Sequence, residues 1–572
     1  MVVVRCLGCL TQRRGLKALL APTRSTRHRY RHLTHSVVDF RRWHSTGSWV
    51  PPTEGHETGI TIYNTATQTK VPLLTQYEGL VSWYSCGPTV YDSAHIGHAV
   101  TYVRQDIIRR IMTRLFDLNV IMVVGITDID DKIIKKAQEL GVSVQDVSEK
   151  YEREFLSDMD RLRVCRPSIT PRVTHHIPHI ICFIQRILDR SMAYVAHDGS
   201  VYFDTEAYGD YGKLTLLPPL RQPSTEETVK KSERDFALWK AAKSGEPYWE
   251  SPWGKGRPGW HIECSAMASH ILGAPLDLHS GGMDLIFSHH ENEEAQCCAH
   301  HHLPQWCNYW IHTGLLYTKM EEKMSKSLSN TITVNQLLNQ HSINTFRFYC
   351  LLSHYRNKII YTPASMSQAN AHFKRIQSFL QDANAYINGQ YKCAALDEPA
   401  LKQKLSETRL KVKRSLADDF DTVKAVDAVI DLVSLGNKEL QKKAEGSSSL
   451  SWSVGSSMVS ICSYIYFIME DVFAITFPKV SDASKLSVKE GVELTDVLDA
   501  VMRLRGEVRT FALLQGTHSQ ELSKSEKEAR MKERQPLLKA CDDLRTDLLK
   551  NGLHIKDHPK HTSWAVTEER KG

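Results

Sequence analysis

The sequence predicts an α/β protein built on a parallel sheet, with a long helical tail behind it. Three observations carry the prediction. From about residue 60, strand-like and helix-like patterns alternate, and strand–helix–strand–helix order implies a parallel sheet with crossover helices. Asn119 to Gly125 is a continuous Val/Ile-rich run, as expected of a parallel strand covered on both faces. Beyond Thr362-Pro363 the apolar spacing turns helical and stays so.

A leader comes first. Residues 1–38 hold eight Lys/Arg and no Asp or Glu. The segment is Arg-rich and sprinkled with hydroxyls (Arg24-Ser25-Thr26-Arg27). That composition predicts an organellar transit peptide over residues 1–45, mitochondrial rather than chloroplast. A secretory signal would need a compact apolar core. Removing the leader turns the net charge of +7 into +7 − 8 = −1. The remainder is near neutral, so any nucleic-acid contact must come from local basic patches. The 572 residues exceed what one core organises, so two to four domains are expected. The most apolar stretch, Ile461 to Phe477, is interrupted by Glu470 and Asp471; it reads as a buried helix, not a membrane span. Thirteen cysteines without framework spacing read mostly as free thiols of a reducing compartment.

The elements follow in order. Ile60 to Asn64 is a short strand and turn. Leu80 to Tyr84 is a strand ending at Cys86-Gly87-Pro88. A helix is predicted from Ile96 to Phe116, with Val100, Val103, Ile107, Ile108, Ile111, Met112 and Leu115 on its apolar face. After the strand at 119–125, Thr127 caps another helix whose first turn holds Asp130 and Asp131; these acids read as dipole-stabilised rather than as magnesium ligands. Cys86 and Thr127 therefore fall beyond the carboxyl ends of strands, where such sheets bind ligands. The irregular stretch of about 150–250 reads as an insertion in a catalytic domain spanning 58–365. Strand patterning resumes at Leu276 to His279 and runs to Tyr309 to His312. A helical bundle domain is expected over 366–500, with Thr422 capping one helix and a Ser/Gly-rich link from Glu445 to Ser457. In the last segment, 501–572, Leu537, Leu538, Cys541, Leu544, Leu548 and Leu549 mark one helical face that Gly552 ends.

Four stretches carry chemistry. His95-Ile96-Gly97-His98 follows the first long strand and opens a helix. Helix N-terminal amides favour phosphate, two imidazoles at i and i+3 can add hydrogen bonds, and Gly97 permits close approach. Alone the motif is as compatible with two surface histidines. Lys323-Met324-Ser325-Lys326-Ser327 sets two lysines beside hydroxyls, which suits a triphosphate. His289 and Glu293 share a helix face at i, i+4, and with Cys86 and Cys264 would make a zinc set. Thiolate ligation also suits a soft substrate atom. Cys297, Cys298, His300, His301, His302 and Cys307 form a denser rival cluster, and spacing alone does not choose between the two.

The paired nucleotide motifs resemble those of class I aminoacyl-tRNA synthetases. Cys86 to Asp92, Thr127 to Lys132, Gly259 to Met267 and Phe287 to Glu293 resemble the cysteinyl-tRNA synthetase family, strongly from about 60 to 365 and more weakly to the C-terminus. With the leader, the likeness is to the family's mitochondrial branch. The resemblance implies a Rossmann-like parallel sheet with an insertion, an α-helical bundle and a C-terminal region on the anticodon side of tRNA. It implies one zinc per chain on Cys86, Cys264, His289 and Glu293. It implies a cysteine pocket lined by Gly87, Thr127, Trp260, Asp284 and His289. His95, His98, Lys323 and Lys326 would clamp ATP with its Mg2+, with Gly97 at the nucleotide. The implied partners are L-cysteine, ATP and tRNA(Cys), in the mitochondrial matrix. Ser288, Ser280 and Ser329 replace residues usual in the family (Pro, Gly and Gly) and remove no assigned side chain. A ligase using a non-tRNA amine acceptor, or a non-catalytic tRNA-binding relative, is the alternative; the helical tail and the complete clamp count against both.

Overall fold

In the computed structural model, residues 49–572 are described except 53, 218–228, 320–321, 324–330, 390–392, 443–454, 478–493, 514–523, 558–561 and 567–572. The leader and Lys326 lie outside the described residues. The described residues belong to one unit, 45–572.

A hairpin of β1 (His56–Asn64) and β2 (Thr69–Thr75) opens this unit. β3 (Leu80–Ser85) leads into α1 (Ile96–Leu115), which crosses over to β4 (Asn119–Val124). Then come α2 (Asp131–Leu140), α3 (Val144–Arg161) and α4 (Ile177–Asp189). The stretch that looks irregular in sequence next forms a small antiparallel sheet of β5 (Ala193–Val195), β6 (Val201–Phe203), β7 (Phe236–Ala241) and β8 (Gly256–Pro258), with α5 (Thr205–Tyr208) between β6 and β7. α6 (Trp260–Leu272) returns the chain to β9 (Leu276–Gly282), α7 (Glu291–His301) and β10 (Cys307–Thr313).

β3, β4, β9 and β10 form one parallel sheet in the order β10-β9-β3-β4. Every residue of β9 and β10 is buried, as two-sided cover requires. The register pairs Ser85 with both Val124 and Ser280, and Thr313 with Gly282, so the carboxyl ends of all four strands lie together. The ligand face is thereby set.

β11 (Leu316–Lys319) and β12 (Glu322–Lys323) follow, then α8 (Val334–Gln340), α9 (Ile343–Leu351) and β13 (Ile359–Ile360). The helical part comprises α10 (Pro363–Ile387), α11 (Glu398–Ala417), α12 (Thr422–Leu440) and α13 (Ser456–Tyr466). α14 (Leu494–Ala512), α15 (Lys524–Lys550) and a hairpin of β14 (Leu553–Asp557) and β15 (Thr562–Val566) close the described chain. One apolar core runs without a break from α1 into α10, α11, α12 and α13. A buried ion pair pins that junction. Arg347 of α9 lies 2.6 Å from Asp106 of α1 and donates to the carbonyls of Leu162 and Phe473. No helix among the described residues is long and apolar enough to cross a membrane.

Three expectations are corrected. Asp130, not Thr127, caps α2, because its carboxylate reaches the Lys132 amide at 2.9 Å. Asp421, not Thr422, caps α12; the Thr422 hydroxyl instead donates to the Leu351 carbonyl at 2.9 Å. Along α15 only Cys541 of the marked face is buried, while Leu537 and Leu549 stand exposed. Of Ile461 to Phe477, only the part to Val472 folds as helix, wound more widely over Phe467–Val472, and Phe473 to Phe477 leaves it as a largely buried turn and irregular segment.

Candidate metal and nucleotide site

β3 ends at Ser85, and the next residue, Cys86, turns its thiol into the sheet's carboxyl edge. Cys264 comes from the first turns of α6. His289 and Glu293 come from the turn before α7 and from α7 itself. These segments are up to 207 residues apart, yet the four ligand atoms lie within 4.8 Å of one another. The Cys86 and Cys264 sulfurs are 3.8 Å apart, Cys86 Sγ is 3.3 Å from Glu293 Oε1, and His289 Nε2 is 3.0 Å from the same oxygen. A tetrahedral zinc with bonds of about 2.0–2.3 Å separates its ligand atoms by roughly 3.3–3.8 Å. The donor set therefore fits the ion in chemistry and in spacing. A second group, Cys86, His279, His290 and Glu293, overlaps it; it offers one sulfur instead of two.

Electrostatics reinforce the first set. A hydrogen bond from Cys86 leads in lowering Cys264 to about 6, against burial, with His289 also helping. Burial, and then the neighbouring Cys264, push the Cys86 thiol the other way, well up. Burial alone would lower His289, but the Glu293 carboxylate and Cys264 carry it to about 10. Burial would raise Glu293, but His279 and His289 hold it at about 2.

Several residues around this centre escape a reading of the sequence. His279 of β9 contacts the second carboxylate oxygen of Glu293 at 3.0 Å. His290 spans from the Cys86 sulfur (3.4 Å) to His312 of β10 (2.7 Å), and His312 reaches the Thr65 hydroxyl (2.7 Å). His261 meets His289 Nδ1 at 2.8 Å. The available signal is one histidine in each of two strands expected to lie in the buried sheet, at 279 and at 312. Glu291 and Asn292 hold the insertion instead. Glu291 accepts the backbone amides of Gly212, Lys213 and Leu214, and Asn292 accepts the Tyr211 hydroxyl.

The rival cluster does not converge. Cys297 faces the Ser265 carbonyl and the Ser269 hydroxyl, Cys298 donates to Glu294 and Cys307 donates to the Tyr309 carbonyl. His300 stacks on Phe183. Among the described residues these six supply no metal-holding group.

The His95–His98 motif opens α1, and the Tyr102 hydroxyl of the same helix donates to the Cys86 carbonyl at 3.3 Å. His95 caps α1, and its Nδ1 accepts the Gly97 amide at 3.1 Å; His98 Nδ1 accepts the His95 amide at 3.4 Å. The two rings stack with centroids 3.8 Å apart. A Cβ on Gly97 would come 2.8 Å from the His95 ring, so glycine is what lets that ring fold back. Lys323 ends β12, and the chain returns from 324–330 at Thr331 to lie along this motif: Thr333 bridges to His95 and Ile96 donates to the Ile332 carbonyl.

Among the residues expected to line a substrate, Gly87 touches the other strand end, its would-be Cβ falling on the Gly125 carbonyl. The Thr127 hydroxyl donates to Glu263 at 3.2 Å. Trp260 packs on His289 with centroids 4.1 Å apart. Asp284 stands exposed just past β9. Trp260 and Phe287 border a cleft of about 680 Å³ shared with Lys132, Arg234 and Lys240. Of the acidic run, Asp128 binds the Thr174 amide, Asp130 caps α2, and Asp131 pairs with Lys240 and Arg257. Each of the three carboxylates thus has a protein partner.

Comparison with known proteins adds the family. Residues 73–371 match the family model described as the class I (C) tRNA synthetase catalytic domain. The chain is 43% identical over 534 residues to the probable mitochondrial cysteine–tRNA ligase of Xenopus tropicalis, covering 92% of each. It is 38% identical over 513 residues to the cysteine–tRNA ligase of Thermococcus onnurineus, covering 88% of this chain and 98% of that one. Among solved structures, the methionyl-tRNA synthetase of Mycobacterium tuberculosis in complex with methionyl-adenylate aligns with a TM-score of 0.51 at 16% identity, over 69% of this chain and 89% of that one, which shows the shared fold. The chain belongs to the cysteine–tRNA ligases, a family of class I aminoacyl-tRNA synthetases.

Proposed function

We propose that this protein ligates L-cysteine to tRNA(Cys) in two steps driven by ATP, within the mitochondrial matrix. The observation that carries the reading is the convergence of Cys86, Cys264, His289 and Glu293 at the carboxyl edge of the sheet, where the helix that His95–His98 opens contacts Cys86. Relatives of near-equal length that bear the name of this activity support it, one of them mitochondrial.

In the first step the cysteine carboxylate attacks the α-phosphorus of ATP, giving cysteinyl-adenylate and pyrophosphate. No protein nucleophile is needed; positioning and charge stabilisation carry the step. His95 and His98 lie at the amide-rich start of α1, where phosphate is favoured. Lys323 and Lys326 supply positive charge to the departing pyrophosphate, with Mg2+ on the phosphates. In the second step the terminal ribose hydroxyl of tRNA attacks the adenylate carbonyl and AMP leaves.

Cys86, Cys264, His289 and Glu293 would hold zinc in this reading, and the ion would supply a borderline-soft Lewis acid suited to a substrate thiolate rather than to a serine hydroxyl. Trp260, packed on His289, walls the substrate side. Gly87 and Gly125, in backbone contact, leave no side chain there to block entry. A polar anchor of this kind discriminates by about 10⁴ or more, so no editing site is required. His279 fixes the rotation of the Glu293 carboxylate, and His290, braced by His312, does the same for the Cys86 sulfur.

ATP–pyrophosphate exchange tested across the amino acids should respond to cysteine and not to serine, alanine or methionine. Exchange with another amino acid, or none with cysteine, overturns the reading. Residues 501–572 serve tRNA at its anticodon side. A chain truncated just before α14, which keeps the core segment from Met458 to Phe477, should keep cysteine-dependent exchange and lose charging; equal loss of both would refute that role.

A further inference from the structure

A second gathering of imidazoles lies away from the sheet, where the start of α4 meets the end of α6. His176 occupies the cap position of α4, His179 follows three residues later on the same side, and His270 sits in the last turn of α6. The two helices pack on each other, so their backbones hold these positions together. The ring centroids of His176 and His179 are 5.5 Å apart, those of His176 and His270 are 5.8 Å apart, and those of His179 and His270 are 3.8 Å apart.

Those separations can be set against coordination chemistry. Imidazoles bound tetrahedrally to zinc at about 2.0–2.1 Å place their ring centroids roughly 5 Å apart. Two of the three distances lie close to that value, and the third needs to open. As they stand the nitrogens do not all lie within 4.8 Å, unlike those of the sheet site. His179 and His270 are exposed, so a change of side-chain rotamer is open to both.

The third ring is already fixed. His176 Nδ1 lies 2.8 Å from the Arg172 carbonyl. Since that oxygen can only accept, Nδ1 carries the proton and the lone pair sits on Nε2. A backbone carbonyl on one ring nitrogen is how metal-binding histidines are commonly oriented. Slight desolvation, and then the neighbouring His270 and His176, lower the pKa of His179, which favours the form that carries a free lone pair.

We propose that His176, His179 and His270 form a surface site for a divalent transition-metal ion of the zinc class, completed by water and separate from the buried Cys86–Glu293 centre. The ion would join the end of α6 to the start of α4. Because α6 also carries Cys264, the site would steady the helix that presents that thiol.

The test uses the full chain with its buried site already saturated, titrated with Zn2+ against a chromophoric chelator. One further, weaker equivalent is expected, together with a zinc-dependent rise in Tm. His270→Ala and His179→Ala should each weaken that equivalent by about tenfold or more, at least the cost of disturbing a second-shell partner. Both variants should retain the tight zinc and cysteine-dependent exchange. His301→Ala, which removes a neighbouring histidine outside the triad, should bind the further equivalent as the wild type does. The proposal fails if no further equivalent binds at zinc concentrations well above the protein's. It fails equally if His270→Ala and His179→Ala leave that equivalent unaltered, or if His301→Ala abolishes it.

Discussion

Two groups of cysteine and histidine residues in this molecule behave oppositely. Cys297, Cys298, His300, His301, His302 and Cys307 are crowded into eleven consecutive positions of the sequence, yet each described sulfur faces a separate oxygen. Cys86, Cys264, His289 and Glu293 are scattered over more than 200 residues, yet their ligand atoms share one small volume. The difference is made by the sheet. Parallel register brings the end of β3 beside the end of β9, and α6 and α7 lay their first turns over that edge. On a single helix, by contrast, adjacent residues such as Cys297 and Cys298 diverge by about 100° of rotation and cannot point at one ion. Density in sequence is therefore a poor guide to coordination, and strand register a good one.

The sharpest way to break this contrast is to remove one sulfur from the convergent group. Cys264→Ala should abolish stoichiometric zinc, measured by metal analysis, and with it cysteine-dependent pyrophosphate exchange. Retained zinc would show that the overlapping set of Cys86, His279, His290 and Glu293 is the true holder. Lys326→Ala separates metal from chemistry. It withdraws charge from the departing pyrophosphate and should slow adenylate formation about 10²-fold, the scale of one lost oxyanion donor. Zinc content should stay at the wild-type level. An unchanged exchange rate in Lys326→Ala removes that lysine from the mechanism.

A third variant tests whether the contrast is one of ligation or merely of burial. Asp106 and Arg347 are as buried as any zinc donor but lie apart from the ligand face. Burial would raise the Asp106 pKa, yet Arg347 and Arg110 hold it below the usual carboxylate value. A depressed carboxylate contributes stability that is complete above its unfolded pKa of about 3.9 and is lost as pH falls through the lower folded value. Asp106→Asn should cost about 3–5 kcal/mol at neutral pH, the usual result of leaving one partner of a buried pair alone. The deficit relative to wild type should shrink only below about pH 4. Denaturant unfolding across pH checks this, and folded Asp106→Asn should still bind zinc.

The parts of the fold legible in sequence are those with long periodic patterns. The apolar stripe of α1 and the Val/Ile run of β4 predict their elements almost to the residue. β5, β6 and β8 are three residues each, too short for any pattern to register. Both misplaced caps came from choosing threonine where a nearby aspartate reaches the N-terminal amides, a matter of side-chain geometry that type alone does not decide. Within the site, His289 and Glu293 were legible through their i, i+4 spacing. His279, His290, His312 and Thr65 were not, because their contacts join β9, β10, the turn after β1 and the start of α7.

The smallest expected effect probes the dense cluster directly. Cys298 is almost fully buried; its thiol donates to Glu294 at 3.2 Å and lies 3.7 Å from the Lys213 ammonium. Glu294 loses little when that sulfur goes, since it keeps the backbone amides of Trp306 and Cys307. Cys298→Ala therefore deletes one heavy atom from a packed interior and should cost about 1 kcal/mol, the range of a one-methylene deletion. Zinc content and exchange activity should match the wild type. Its effect thus differs from that of Cys264→Ala in kind as well as in size. If Cys298→Ala lost zinc while its thermal unfolding shifted by only the few degrees this destabilisation implies, the metal would belong to the dense cluster and convergence at the sheet edge would need another explanation.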